Sequence, residues 1–234
     1  MITSKDNPKF KSWMKLQQKK YRDLTNTYIV YGQTFVDLAL KKGVVEEIVT
    51  SNPNVEGTLI SEQLMQQLKV TKTAYDVFAV CKKSSNPIVS NNILVLDDIQ
   101  NPDNVGAILR SALAFGFLHV VFSNHTADLY HDKTIRASGG ALFDLYIQRC
   151  DIHEFMQTKK QAGYQVFGAD AHQSKLEPQV GKPFILVLGN EGQGLSDKTN
   201  LLLDGKVNIK TKHVESLNVV VAGSILMYEW SKQQ

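Results

Sequence analysis

The sequence predicts an α/β protein, with a small N-terminal α/β unit ahead of a larger C-terminal domain built on a parallel sheet. Three observations predict it. Short apolar runs alternate with stretches of helical periodicity along the chain. The C-terminal runs are continuously apolar, as strands covered on both faces are. A polar, turn-forming segment from Lys82 to Asn92, with Pro87 near its middle, separates the two parts.

The N-terminal part opens on a basic stretch. Lys5, Lys9, Lys11, Lys15, Lys19, Lys20 and Arg22 are opposed only by Asp6 and Asp23. Residues 1–89 carry 13 Lys and Arg against 8 Asp and Glu, a net +5, whereas residues 90–234 carry 13 against 15, a net −2. Such a stretch is either a solvated helix face or a surface that neutralises phosphates and releases counterions from RNA. Trp13, Met14 and Leu16 within it predict a docked helix rather than a loose tail. Tyr28–Tyr31 reads as a strand and Thr34–Lys42 as a helix carrying Phe35, Val36, Leu38, Ala39 and Leu40. Val44–Val49 reads as a second strand, Ser61–Leu68 as a helix and Val77–Val80 as a third strand. The unit so defined spans residues 1–83, with a linker over 84–92.

From residue 93 the alternation strengthens. Ile93–Leu96 is a buried strand, and Asn104–Phe115 is a helix with its apolar face on Val105, Ile108, Leu109, Ala112 and Leu113. His119–Phe122, Gln165–Gly168 and Phe184–Leu188 are further strands, and Leu217–Trp230 is a largely apolar helix. Ligands of parallel α/β sheets sit at the carboxyl ends of the strands, so the loops that follow them are the place to look for chemistry.

Several classes are excluded or disfavoured. With 43% hydrophobic and 21% charged residues the chain can bury a core, yet no run approaches the roughly 18 apolar residues of a membrane span. Met1–Asp6 lacks the apolar stretch of a signal peptide. Cys81 and Cys150 have no metal or redox spacing, and the six histidines form no H-E-x-x-H. The expectation is a reduced, cytoplasmic protein without a metal or a membrane partner. Neither a G-x-G-x-x-G nor a G-x-x-x-x-G-K-[ST] pattern occurs, so nucleotide folds of those two kinds are unsupported.

Three strand-ending loops are rich in Gly, Asn and charge. In the first, Asp97 to Arg110, either Asp103 or Asn104 suits a helix N-cap, and Arg110 can serve as an ordinary salt-bridge arginine. In the second, Leu188 to Ser196, Gly189, Gly192 and Gly194 allow either close approach of a ligand or a tight turn, with Glu191 between them. In the third, Lys210 to Ala222, Ser216 and Asn218 can cap the final helix.

Together and in this order the loops resemble the SpoU (TrmH-like) RNA 2′-O-ribose methyltransferases of the SPOUT superfamily. The first motif, N-x-x-x-x-x-R, is met by Asn104 and Arg110. The second, G-x-E-x-x-G, is met by Gly189, Glu191 and Gly194, and the third, S-L-N-V-x-V-A, by Ser216–Ala222. "RASGGALF" from Arg136 resembles a further family segment, and residues 1–83 resemble the family's N-terminal substrate-binding domain. Two departures stand out. Val207–His213 lacks the proline and glycine of the family's I-P-M-x-G, and Tyr31 replaces a glutamate in Tyr28–Gly32.

The resemblance implies a deep trefoil knot in the C-terminal domain (93–234) and S-adenosylmethionine as cofactor. It implies cofactor contacts from Leu188, Gly189, Asn190, Gly194, Ile209, Leu217 and Asn218, and catalytic roles for Arg110, Asn104, Glu191, Ser216 and Asn218. Lys5, Lys9, Lys11, Lys15, Arg110 and Arg136 would contact RNA, with rRNA implied by the N-terminal domain. A homodimer through the knot region is implied as well. Two alternatives stay open: a relative whose altered third loop leaves it an RNA-binding protein without turnover, and an unrelated nucleotide-binding α/β enzyme.

Overall fold

The computed structural model describes all residues except 73–74, 85, 171–177, 180 and 233–234. The chain divides into two compact units, Met1–Ser84 with Tyr130–Ile135, and Ser85–Leu129 with Arg136–Gln234.

In the first unit the basic stretch forms helices α1 (Pro8–Lys15) and α2 (Lys19–Thr25). Pro8 at the first helical position and the Asn7 side chain, which accepts from the Lys9 N–H, start α1. Phe10, Trp13 and Leu16 recur on one side and are buried, so the stretch is a docked helix, as its apolar residues predict. There follow β1 (Thr27–Tyr31), α3 (Gln33–Lys41), β2 (Val45–Thr50), β3 (Thr58–Leu59), α4 (Glu62–Leu68) and β4 (Val77–Lys82). The sheet order is β1-β4-β2-β3, with β4 antiparallel to both β1 and β2. One core joins α1, α4 and the sheet through Trp13, Ile29, Leu64, Leu68 and Phe78. Tyr130 belongs to this unit: its ring lies 4.4 Å from that of Tyr28, with the Lys83 ammonium 4.9 Å over it.

The second unit contains β5 (Asn92–Asp97), α5 (Pro102–Ala114), β6 (His119–Phe122), a helix α6 that starts in the first unit (Asp132–Ser138) and a 3₁₀ turn (Ala141–Phe143). It continues with β7 (Tyr146–Arg149), α7 (Ile152–Gln161), β8 (Gln165–Ala169), β9 (Phe184–Gly189), α8 (Asp197–Asn200), β10 (Gly205–Val207) and α9 (Val219–Ser231). The six strands are all parallel, in the order β10-β8-β9-β5-β6-β7. Alternation along β5 explains its unbroken apolar sequence. Leu94 and Leu96 enter the core shared with α5 and α9, whereas Ile93 and Val95 enter the core shared with α7. Both sheet faces are thereby covered.

Two helix starts differ from the sequence reading. Helix α5 is capped by Asn101, not by Asp103 or Asn104, because Pro102 occupies its first position with φ already fixed for a helix. The final helix begins at Val219 rather than Leu217. Asn218 caps it by accepting from the Val220 N–H at 2.8 Å, and Ser216 makes no such bond. Among the described residues no helix is long and apolar enough to cross a membrane.

Candidate active site

The candidate site lies at the carboxyl ends of β5 and β9. These strands are neighbours, with Asp97 in register opposite Gly189, so the loops that follow them emerge side by side. The order of the sheet accounts for the meeting: the chain adds β6 and β7 to one side of β5 and later returns to place β9 on the other.

The glycine loop closes tightly on itself. Asn190 and Gly194 exchange backbone hydrogen bonds of 2.9 Å each, and the Asn190 Oδ1 accepts from the N–H groups of Gly192 and Gln193, at 2.9 and 3.0 Å. A Cβ at position 189 would lie 2.5 Å from the Gly194 backbone, a distance no side chain can occupy. Gly194 has φ +71°, and a Cβ built there would meet nothing within 4 Å, so the loop's outer side faces open space.

This loop is joined to the first one. The Asn104 amide donates to Glu191 Oε1 at 2.7 Å, and the Asn190 amide donates to the Asp98 carbonyl at 2.9 Å. Asp98 itself adopts φ +63°, which an aspartate tolerates better than most residues. Arg110 stands six residues beyond Asn104, about 9 Å along the α5 axis. Its side chain is exposed and runs past Gly139, whose Cβ position would be 3.5 Å from Arg110 Cδ. Helix α9 packs beside α5, with a 2.7 Å hydrogen bond between Ser111 and Ser224.

The remaining predicted residues sort by exposure. The Leu188 side chain is buried against α9, where it fills the space beside Gly223, so it offers a ligand backbone only. Ile209 and Leu217 are half-buried, and Ile209 packs against the α5/α9 core. Ser216 is exposed and makes no side-chain hydrogen bond among the described residues. Asn218 is held by its cap bond, which leaves its amide N–H₂ for another partner.

In the first unit, Lys9 pairs with Glu47 at 2.6 Å and Lys11 with Asp6 at 2.8 Å. Burial opposes ionisation of Glu47, but hydrogen bonds from Lys9, Thr58 and Trp13 outweigh it and hold its carboxyl below the usual range. Lys5 and Lys15 have no acidic partner among the described residues. The same holds for Lys20, which shares the Tyr21 ring with Lys15. Arg136 is half-buried in the last turn of α6.

Sequence reasoning missed Asp97. Its signal was a carboxylate ending an otherwise apolar strand; in the structure it is buried and accepts from Thr199 Oγ1 at 2.7 Å and from the Ser196 N–H at 3.2 Å. The buried cysteine is no candidate nucleophile, since burial pushes the Cys81 thiol up to about 12.

Comparison with known proteins matches residues 91–228 to the SpoU rRNA Methylase family and residues 7–88 to an MRM3-like substrate binding domain. The 23S rRNA (guanosine(2553)-2'-O)-methyltransferase RlmP of Bacillus subtilis (strain 168) is 32% identical over 244 residues, covering 97% of each chain. Among solved structures, an rRNA methyltransferase from Sinorhizobium meliloti superposes with a TM-score of 0.87 at 25% identity, over 99% of this chain and 96% of that one. The SpoU methyltransferase AviRb from Streptomyces viridochromogenes, in complex with the cofactor AdoMet, shares the fold at a TM-score of 0.85 and 24% identity, over 97% and 98% of the two chains. Motifs, fold and full-length similarity converge, and the chain belongs to the SpoU rRNA methylase family.

Proposed function

We propose that this protein transfers a methyl group from S-adenosylmethionine to a ribose 2′-hydroxyl of rRNA. The observation that carries the reading is the Asn104–Glu191 hydrogen bond, which joins the family's first and second motifs into one site at the sheet's carboxyl edge. The residues present fit the cofactor. The open outer side of Gly194, the backbone of Leu188 to Asn190 and the half-buried Ile209 and Leu217 supply close-approach backbone and apolar surface, with Asn218 as a polar contact. When bound, S-adenosylmethionine supplies an electrophilic methyl group on a sulfonium.

The chain's own task is to align a poor nucleophile and help remove its proton. A guanidinium is a very weak acid, so Arg110 is ill suited to act as an unaided base. It clamps the substrate phosphate and lowers the pKa of the neighbouring hydroxyl, whose proton leaves to that phosphate or to water. Asn104 and Glu191 hold each other and the substrate in place, and Ser216 and Asn218 complete the site from the start of α9. We assign RNA binding to residues 1–83 and methyl transfer to 93–234, with 84–92 between them; β5 already begins at Asn92, and Tyr130–Ile135 belong with the first unit. Lys5 and Lys15 supply its free charge, Lys9 and Lys11 contribute through their ion pairs, and Arg110 and Arg136 contact the target nucleotide.

The reading extends to assembly. A trefoil knot through residues 188–222 is carried over from the family on the order of the three motifs. Val221, Ile225 and Tyr228 form an exposed apolar stripe on α9 at helical spacing, which supports a homodimer through the knot region; the cytoplasm is the compartment this reading implies. The test is incubation with methyl-labelled S-adenosylmethionine and unmodified total RNA, then digestion to nucleosides. Label in a 2′-O-methyl nucleoside from rRNA is expected. Label on a base, or none with either free rRNA or ribosomal particles, overturns the reading.

A further inference from the structure

We infer that Asp97 is a positioning residue for the cofactor loop, acting through Thr199. The inference rests on the methyltransferase reading for what the loop holds, but its structural basis is independent of it. Asp97 is only 6% exposed at the end of the central strand β5. A buried carboxylate is costly unless donors satisfy it. Here the donors are the Ser196 N–H at 3.2 Å and the Thr199 hydroxyl at 2.7 Å, both just beyond the glycine loop. Thr199 is fully buried and receives the Ser196 hydroxyl at 2.9 Å. The start of the loop is tied to the next residue, through the Asn190 amide on the Asp98 carbonyl. Both ends of the loop are therefore fastened to two consecutive residues of β5 and its extension, while Glu191 in the middle is held by Asn104.

The cluster extends to His153, whose Nε2 is 3.3 Å from Thr199 Oγ1 and 3.5 Å from Ser196 Oγ, with Asp151 3.4 Å from its Nδ1. The order Asp–His–Ser resembles a hydrolytic triad, but its members are already committed. Ser196 Oγ caps α8 by accepting the Thr199 N–H, and Asp151 caps α7. A hydroxyl that donates to Thr199 and accepts at a helix cap is no free nucleophile, so the cluster's role is support.

Asp97 thus fixes where the loop returns, without facing the reaction itself. The test compares Asp97→Ala, Thr199→Val and Thr199→Ser in the full chain, by amide hydrogen exchange of the free protein and by steady-state kinetics. Exchange at 190–196 is expected to quicken about tenfold in Asp97→Ala and Thr199→Val, the effect of losing roughly one net hydrogen bond. The KM for S-adenosylmethionine should rise about tenfold, while kcat and RNA affinity stay within about twofold. Thr199→Ser, which keeps the hydroxyl, should restore both. If Asp97→Ala fails to fold, the near-isosteric Thr199→Val decides. Unchanged exchange, or a lower melting temperature with wild-type KM, overturns the inference. If the wild-type protein binds no S-adenosylmethionine, the methyltransferase reading fails, and the exchange rates still decide whether Asp97 holds the loop.

Discussion

The second and third loops differ sharply in how firmly the rest of the protein holds them. The loop after β9 is fastened at its start by Asn190 to Asp98, at its middle by Glu191 to Asn104 and at its end by Ser196 to Asp97. The stretch from Asn208 to Asn218 carries among the described residues only a 2.6 Å bond from Thr211 Oγ1 to the Val214 carbonyl and the bonds through which Asn218 opens α9. The lesson is that the protein itself fastens one half of the proposed site, whereas it holds the other with few internal hydrogen bonds. The third loop is also where this chain departs from its family, in Val207–His213. A loop that relies little on internal bonds can change sequence at small cost to the fold.

The largest effect expected sets the scale for that comparison. Arg110→Ala leaves both loops intact and should lower kcat by about 10²–10³ at saturating RNA and cofactor, the usual loss for a charge-stabilising group. Near-normal turnover would remove Arg110 from the centre of the chemistry. Breaking the preorganised loop comes next. Asn104→Ala should lower kcat/KM by roughly tenfold, since it releases Glu191 and with it the middle of the loop. The third loop should respond differently. Addition of S-adenosylhomocysteine is expected to slow amide exchange across 208–217 by about tenfold, with a smaller change at 190–196. Equal protection of both loops would abolish the distinction.

Two smaller effects lie outside the loops. Lys15→Ala should weaken RNA binding and reduce the salt slope by about one, whereas Lys11→Ala, whose charge is already paired, should do less. A control sits at the opposite end of the sheet, at the start of β6. His119 is buried between Tyr146 and Phe155, and burial, followed by the charge of Lys159, lowers its pKa to about 4. Between about 6.5 and 4 the unfolded chain binds the proton that the folded one refuses, so stability should fall as pH drops through that window. Urea unfolding of His119→Phe should show a flatter dependence there.

The loops' identity was legible in the sequence because their residues are specified by chemistry at fixed spacing. Asn104, Glu191, Gly189 and Gly194 had to be where they are for the site to close, and the structure brings them together. Central strands were legible for a related reason, since burial on both faces demands unbroken apolar runs such as Phe184–Leu188. The edge strands were not. Tyr146–Arg149 and Gly205–Val207 are short, half-buried and mixed in polarity, so they send no comparable signal. Nor could spacing reveal which lysines are neutralised, because the partner of Lys9 is Glu47, on another element. Asp97 escaped notice because one buried carboxylate has no motif: its importance lies in Ser196 and Thr199, about a hundred residues away along the chain.

The two-sided alternation of β5 has a consequence for how this protein can change length. Ile93 and Val95 serve one core while Leu94 and Leu96 serve the other. A one-residue insertion within the strand would exchange the two sets and, at the same stroke, move Asp97 away from its place opposite Gly189. Insertions and deletions should therefore be purged from Asn92–Asp97 even when the inserted residue is apolar. Libraries that shuffle or lengthen this protein would recover active members only when the strand's residue count is preserved.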